Sequence, residues 1–219
     1  MTQRSLFRDI SGVFGSNVLA LLNAFVVDIV LSRQLGPEGR GLYASILVIP
    51  LIIVSFAMIG IRRSAVYHLG KGTYDENRTV SGVISLYLIS SLLAIALSGI
   101  AFTWFRPHGM TTGMVIITLL SIPVKLLLVY TGGIFIGKED FRRSNLQMWL
   151  PHFFNLIGII VFVALIQWEV LGALIALFLS NLLVASVSMY YLVRRFQIHI
   201  RFDAEVIKSL AGMGVIYAL

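Results

Sequence analysis

The sequence predicts an all-α integral membrane protein, six transmembrane helices in one bundle followed by the start of a seventh, and three observations predict it. Of 219 residues, 58% are hydrophobic and 12% charged, whereas a soluble domain is about half apolar and about a quarter charged. The charges fall in short clusters between apolar runs of roughly the 20 residues that a helix needs to cross hydrocarbon. Those runs do not alternate polar with apolar residues as barrel strands do, so helices must satisfy the backbone within lipid.

The first run, 13–32, follows a leader carrying Arg4 and Arg8. Its length, the presence of Asp28 and the lack of a small-residue cleavage site argue for a retained span rather than a signal peptide. The second run, 41–61, contains Pro50, which is expected to kink it. A hydrophilic stretch, 62–79, reads equally as an amphipathic interfacial segment or a solvated loop. The third run covers 80–105 and the fourth 113–137, with Pro123 and Gly132, Gly133 and Gly137 inside the fourth. Gly133-xxx-Gly137 is either a packing notch or a loosened stretch of a moving helix. The fifth and sixth runs cover 146–167 and 170–193, and a partial seventh begins near Val206. The expected organisation is therefore one lobe over 1–201 and the opening of a second over 202–219.

Loop charge sets the orientation. Thirteen of the seventeen Lys and Arg residues lie in the N-terminus or in the second, fourth and sixth connections or beyond. Only Arg33, Arg40 and Arg106 fall on the opposite side, and Lys125 lies inside the fourth run. Basic residues accumulate on the cytoplasmic side of short loops, so the N-terminus is expected there. The net charge of +7 is interrupted by long apolar runs and cannot form a phosphate-tracking stripe. Anionic phospholipid headgroups, not nucleic acid, are the expected partners.

The absence of cysteine excludes disulfides, thiolate nucleophiles and Cys-based metal sites. No HExxH helix, GxSxG elbow or Walker glycine loop occurs, so no catalytic residue, metal or cofactor is expected, and an enzyme is not. Asp75-Glu76 and Glu139-Asp140 are adjacent rather than one helical turn apart and read as loop charges. Asn77-Arg-Thr79 matches a glycosylation acceptor but falls on the cytoplasmic side.

Asp28 and Lys125 stand out as a carboxylate and an ammonium inside runs, and each costs at least about 2.5–3.5 kcal/mol to insert unless it faces an interior or an aqueous cavity. Asp28 is expected to be a coupling site or the counter-ion of Lys125; its bland alternative is to snorkel outward beside Arg33. Asn17, Ala20, Ala24 and Asp28 share one face of the first helix, so Asn17 is expected to line a cavity or bond a neighbouring helix. His152 and Asn155, one turn apart, and Asn181 in the sixth run are further candidates for the cavity, with an interfacial hydrogen-bonding role as the alternative for His152. Arg62, Arg63, Arg142 and Arg143 could grip a pyrophosphate headgroup or serve as topology anchors.

The segment 31–43, LSRQLGPEGRGLY, resembles the turn after the first helix in the polysaccharide-biosynthesis (Wzx-type) branch of the multidrug/oligosaccharidyl-lipid/polysaccharide (MOP) exporter superfamily. Physically, Gly-Pro-Glu-Gly is a tight reversal between antiparallel helices. The segment 133–145, GIFIGKEDFRRSN, is similar to the family's exit from its fourth helix, and 202–214, FDAEVIKSLAGMG, is similar to its entry into a second lobe. The resemblance implies a bacterial inner-membrane flippase for polyprenyl-pyrophosphate-linked oligosaccharide, with a cationic cavity in which Lys125 meets the headgroup. It also implies that this chain is half of such a transporter, with a second lobe or a homodimer partner needed for alternating access. A multidrug/cation antiporter of the same superfamily, or a non-transporting membrane subunit or remnant, are the alternatives.

Overall fold

The computed structural model describes residues 3–58, 60–198 and 203–216. The boundary expected at residue 201, and Arg201 itself, lie outside the described residues. All regular structure among the described residues is helical: α1 (Gln3–Ala57), α2 (Ile61–Lys71), α3 (Glu76–Trp104), α4 (Thr112–Gly137), α5 (Phe141–Ile159) with a π-helical continuation (Ile160–Leu165), α6 (Glu169–Arg195) and α7 (Ala204–Ile216).

Five of these stretches are long and apolar enough to cross a membrane, where six were expected. The difference lies in the first two runs, which fall within one continuous stretch, Phe14–Lys71. That stretch is broken at Gly36, whose φ of 65° and ψ of −176° are not helical. Such a conformation is essentially confined to glycine, and Pro37 then starts the second arm with its φ already set for a helix. Arg40 Nη2 lies 2.5 Å from Asp28 Oδ1, although twelve residues separate them. An unbroken helix would climb about 18 Å over that interval, so the chain folds back at Gly36.

The same end of the bundle collects three connections. Gly39 lies against Val170 at the start of α6, and Gly109, between α3 and α4, lies against Leu42. A core of Val27, Leu31, Tyr43, Ile46, Met114, Val163 and Leu174 fills the space beneath them. The other end is ionic. Asp140 accepts from the Arg143 backbone N–H, pairs with the Arg143 guanidinium and lies 3.5 Å from Arg195. Lys138 pairs with Glu76, and Asp75 Oδ2 accepts from the N–H groups of Asn77 and Arg78. Of the acidic residues that read as loop charges, Asp75 and Asp140 are therefore helix caps, and Glu76 and Asp140 tie one helix to another.

Most of the stretch 62–79 is not a solvated loop but α2, an amphipathic helix that exposes Arg62, Arg63 and Lys71 and packs Ala65, His68 and Leu69 against its neighbours, α4 and α7 among them. Gly133 and Gly137 explain how closely α2 approaches. A Cβ at Gly137 would sit 2.9 Å from Leu69 Cβ and 3.2 Å from Val66 Cα, and one at Gly133 would sit 3.2 Å from the Arg62 carbonyl oxygen. The Gly133-xxx-Gly137 motif is thus a packing notch for α2. At the tail, α7 docks on the same lobe: Val206 sits in the notch at Gly82, Val206 and Leu210 are fully buried, and Arg78 bonds Asp203 at 2.5 Å and Glu205 at 3.0 Å. Asn77 Oδ1 accepts from the Gln197 backbone N–H at 3.1 Å, which makes the Asn77 of the chance glycosylation pattern part of this tie.

Candidate functional site

The site forms where α4, α5 and α6 meet and both α2 and the second arm of α1 lean against them. Along α5, Ser144, Gln147, Pro151 and Asn155 recur at three and four residues and so share one face. That face turns toward Leu128, Val129 and Gly132 of α4 and Leu177 and Asn181 of α6, and together they wall a chamber of ≈ 230 Å³ that also takes in Arg62, Lys125 and His152. A second chamber of ≈ 280 Å³ lies beside it, lined by Leu47, Pro50, Leu51, Val54 and Met58 of α1, Thr118, Ser121 and Ile122 of α4, and again Lys125, Leu177 and Asn181. The first is rich in amide, imidazole and cationic groups and the second is almost wholly apolar. Lys125 stands at their junction.

Of the two prolines inside these helices, Pro50, which was expected to kink its run, lines the second chamber, and Pro123 lines neither. Pro123, two residues before Lys125 on α4, cannot donate a backbone hydrogen bond to the carbonyl four residues back. Both helices nonetheless run on through their prolines. Behind the site, the Tyr130 hydroxyl lies 2.8 Å from Ser90 Oγ and 3.2 Å from the Ala57 carbonyl oxygen, which ties α4 to α3 and to the end of α1.

Of the residues singled out from sequence, Lys125, His152, Asn155, Asn181 and Arg62 come together in the polar chamber. Lys125 is exposed to it and, among the described residues, no carboxylate lies within ion-pair distance of its ammonium. Asn155 is 8% and Asn181 6% exposed, and the Asn181 side-chain amide donates to the Leu177 carbonyl at 2.6 Å. His152 is exposed at the chamber wall.

Asp28 is elsewhere: its ion-pair partner is Arg40, not Lys125 as expected. It pairs with Arg40, whose guanidinium also lies over the Tyr43 ring, at the opposite end of the first arm. The Gly36 turn brings Arg40 back to it, so Asp28 finds a partner from its own hairpin. Asn17 lies on an exposed face of α1 and lines neither chamber. The buried face of that arm carries Ser16, Val27 and Leu31 instead. Arg63 and Arg142 are exposed, and Arg143 is engaged by Asp140 and by the Tyr191 ring 4.6 Å away.

Gln147 was missed. It sits at the heart of the polar wall, with Nε2 2.7 Å from both Thr131 Oγ1 and Ser188 Oγ. The spacing of Ser144 and Gln147 ahead of Pro151 and Asn155 would have extended the polar face one and two turns back from the His152–Asn155 pair.

No curated protein matches the chain in sequence. Among solved structures, a MATE-family multidrug resistance transporter of the MOP superfamily in an outward-facing conformation is 20% identical with a TM-score of 0.71, over 96% of this chain and 50% of that one. A MOP superfamily transporter from Pyrococcus furiosus Vc1 (DSM3638) is 21% identical with a TM-score of 0.68, again over 96% of this chain and 50% of that one. A MATE transporter in complex with Br-NRF is 19% identical with a TM-score of 0.71, over 98% of this chain and 55% of that one. The chain thus spans about half the length of the structures it matches and shares the fold of that half. The profile of the polysaccharide biosynthesis protein family matches residues 6–216, and the chain accordingly belongs to that family.

Proposed function

We propose that the chain forms one half of a flippase-type MOP transporter that carries an anionic, polyprenyl-pyrophosphate-linked oligosaccharide across the bacterial cytoplasmic membrane. In this reading the two arms of α1 cross separately, so the lobe has six crossings with the N-terminus on the cytoplasmic side, and a second lobe or a second copy completes the path. The single observation that carries the proposal is Lys125: an unpaired ammonium at the seam between a polar chamber and an apolar one. A lipid pyrophosphate has the matching division, a doubly charged headgroup on a hydrocarbon tail. Arg62 adds a second cation at the polar wall, and no carboxylate occurs in the described lining of either chamber.

The second reading, export of cationic drugs, draws on the fold shared with MATE transporters. A cationic substrate would meet Lys125 and Arg62 without a compensating acid, which favours the anionic cargo. Titration of the chain in lipid nanodiscs with geranylgeranyl pyrophosphate tests the choice. The proposal expects saturable binding that Lys125→Ala weakens about tenfold or more, the scale of a lost hydrogen bond to a charged group. Binding of the cation ethidium in its place, or pyrophosphate binding indifferent to Lys125, would overturn it. Absence of both would favour a non-transporting subunit.

A further inference from the structure

The orientation of the Gln147 amide follows from its neighbours. Thr131 Oγ1 donates to the Leu127 carbonyl at 2.7 Å, and Ser188 Oγ donates to the Val184 carbonyl at 2.7 Å. A hydroxyl has one proton, so toward Gln147 both can only accept. Both lie 2.7 Å from Nε2, which therefore spends its two protons on them. Oε1 is turned the other way, toward Gly132 in the chamber wall, where it is buried with no hydrogen-bond partner.

Asn155 repeats the situation two turns along the same face. It is 8% exposed, and its Oδ1 is likewise buried and unpartnered. Buried acceptors are seldom left without a donor, and each gains when one arrives. Two of them share one chamber with the Lys125 ammonium. Phosphate oxygens cannot satisfy them, because acceptor would face acceptor. What satisfies them is an O–H or N–H group carried close to the anion that Lys125 holds.

We propose that Gln147 and Asn155 form a donor-reading subsite beside Lys125, which selects lipid pyrophosphates bearing a sugar over the bare lipid by accepting from a hydroxyl or acetamido N–H of the first sugar. Thr131 and Ser188 are positioning residues that hold the Gln147 oxygen toward the chamber. The inference rests on the flippase reading above and names what that site recognises besides charge.

The test uses the full chain in nanodiscs and three probes: geranylgeranyl pyrophosphate, its glucosyl ester and its N-acetylglucosaminyl ester. The unaltered chain is expected to bind at least one glycosylated probe about tenfold more tightly than the bare one, as two added hydrogen bonds would give. A preference for both esters assigns the donor to a hydroxyl, and a preference for the N-acetylglucosaminyl ester alone assigns it to the amide. Gln147→Met is expected to bring the ratio of glycosylated to bare affinity within about twofold of unity. Asn155→Leu, which breaks no hydrogen bond among the described residues, is expected to lower the ratio in the same direction and guards against a folding defect in the first variant. Bare and glycosylated probes binding equally, in a Lys125-dependent way, would overturn the subsite alone, as would a ratio untouched by both variants. No Lys125-dependent binding of any probe would overturn the flippase reading and the subsite with it.

Discussion

Asp28 and Lys125 send the same signal in the sequence, a charge within an apolar run, and the structure resolves them in opposite ways. Asp28 lies near the Gly36 turn, where the fold-back returns Arg40 to it at 2.5 Å, and its side chain is 60% exposed. Lys125 lies mid-helix on α4, where no turn can deliver a partner, and faces two chambers. One charge is neutralised by its own hairpin, and the other has no carboxylate partner among the described residues. A charge inside a span is therefore informative about function only after the local chain has had its chance to pair it.

The largest effect expected from this contrast is on binding. Lys125→Ala should weaken geranylgeranyl pyrophosphate about tenfold or more, whereas Asp28→Ala should leave it within about twofold; equal losses would erase the distinction. Next is the packing that brings α2, with Arg62, to the chamber. Gly137→Leu forces a side chain into Leu69 and the α2 backbone and should destabilise the lobe by about 1–3 kcal/mol, read from tryptophan fluorescence during thermal unfolding in detergent.

Gly36→Ala acts on the other region. Its φ of 65° with ψ near 180° is strained for any residue with a Cβ, by about 1–3 kcal/mol, and the variant should loosen the Asp28–Arg40 contact while sparing Lys125-dependent binding. Breaking the pair directly is a milder change: Arg40→Gln should cost at most about 1 kcal/mol, because the pair is substantially exposed.

The smallest effect concerns α7. Hydrogen bonding from Arg78 holds the Asp203 carboxyl below its ordinary value of 3.8. A carboxyl with a depressed folded pKa stabilises fully above the unfolded value, and that contribution fades as pH falls through the folded one. Amide exchange along α7 should accordingly quicken as pH is lowered from about 4, after correction for the intrinsic rate, and Asp203→Asn should abolish the dependence.

The spans were legible because apolar run length is written locally. Four of the expected runs, at 80–105, 113–137, 146–167 and 170–193, coincide within a few residues with Glu76–Trp104, Thr112–Gly137, Phe141–Leu165 and Glu169–Arg195. The GPEG turn was legible because glycine and proline specify backbone angles. Helix faces were less so. Lys125, His152, Asn155 and Asn181 converge as expected, but Asn17 does not, because the first arm buries Val27 and Leu31 against Tyr43 and Ile46 rather than its small-residue stripe. Arg62 joins the chamber only because Gly133 and Gly137 let α2 lie close on α4, a pairing between distant segments that neither segment announces. Gln147 escaped notice because its importance depends on Thr131 and Ser188, which lie on two other helices.

Charge reversal at the junction tests the central claim most directly. In the proposed flippase, Lys125 sets the sign of the cargo at the meeting of the two chambers. Lys125→Glu in nanodiscs should abolish geranylgeranyl pyrophosphate binding and admit a cationic amphiphile such as tetraphenylphosphonium, which the unaltered chain is expected to exclude. Pyrophosphate binding that survives the reversal, or cation binding equal in both proteins, would contradict it.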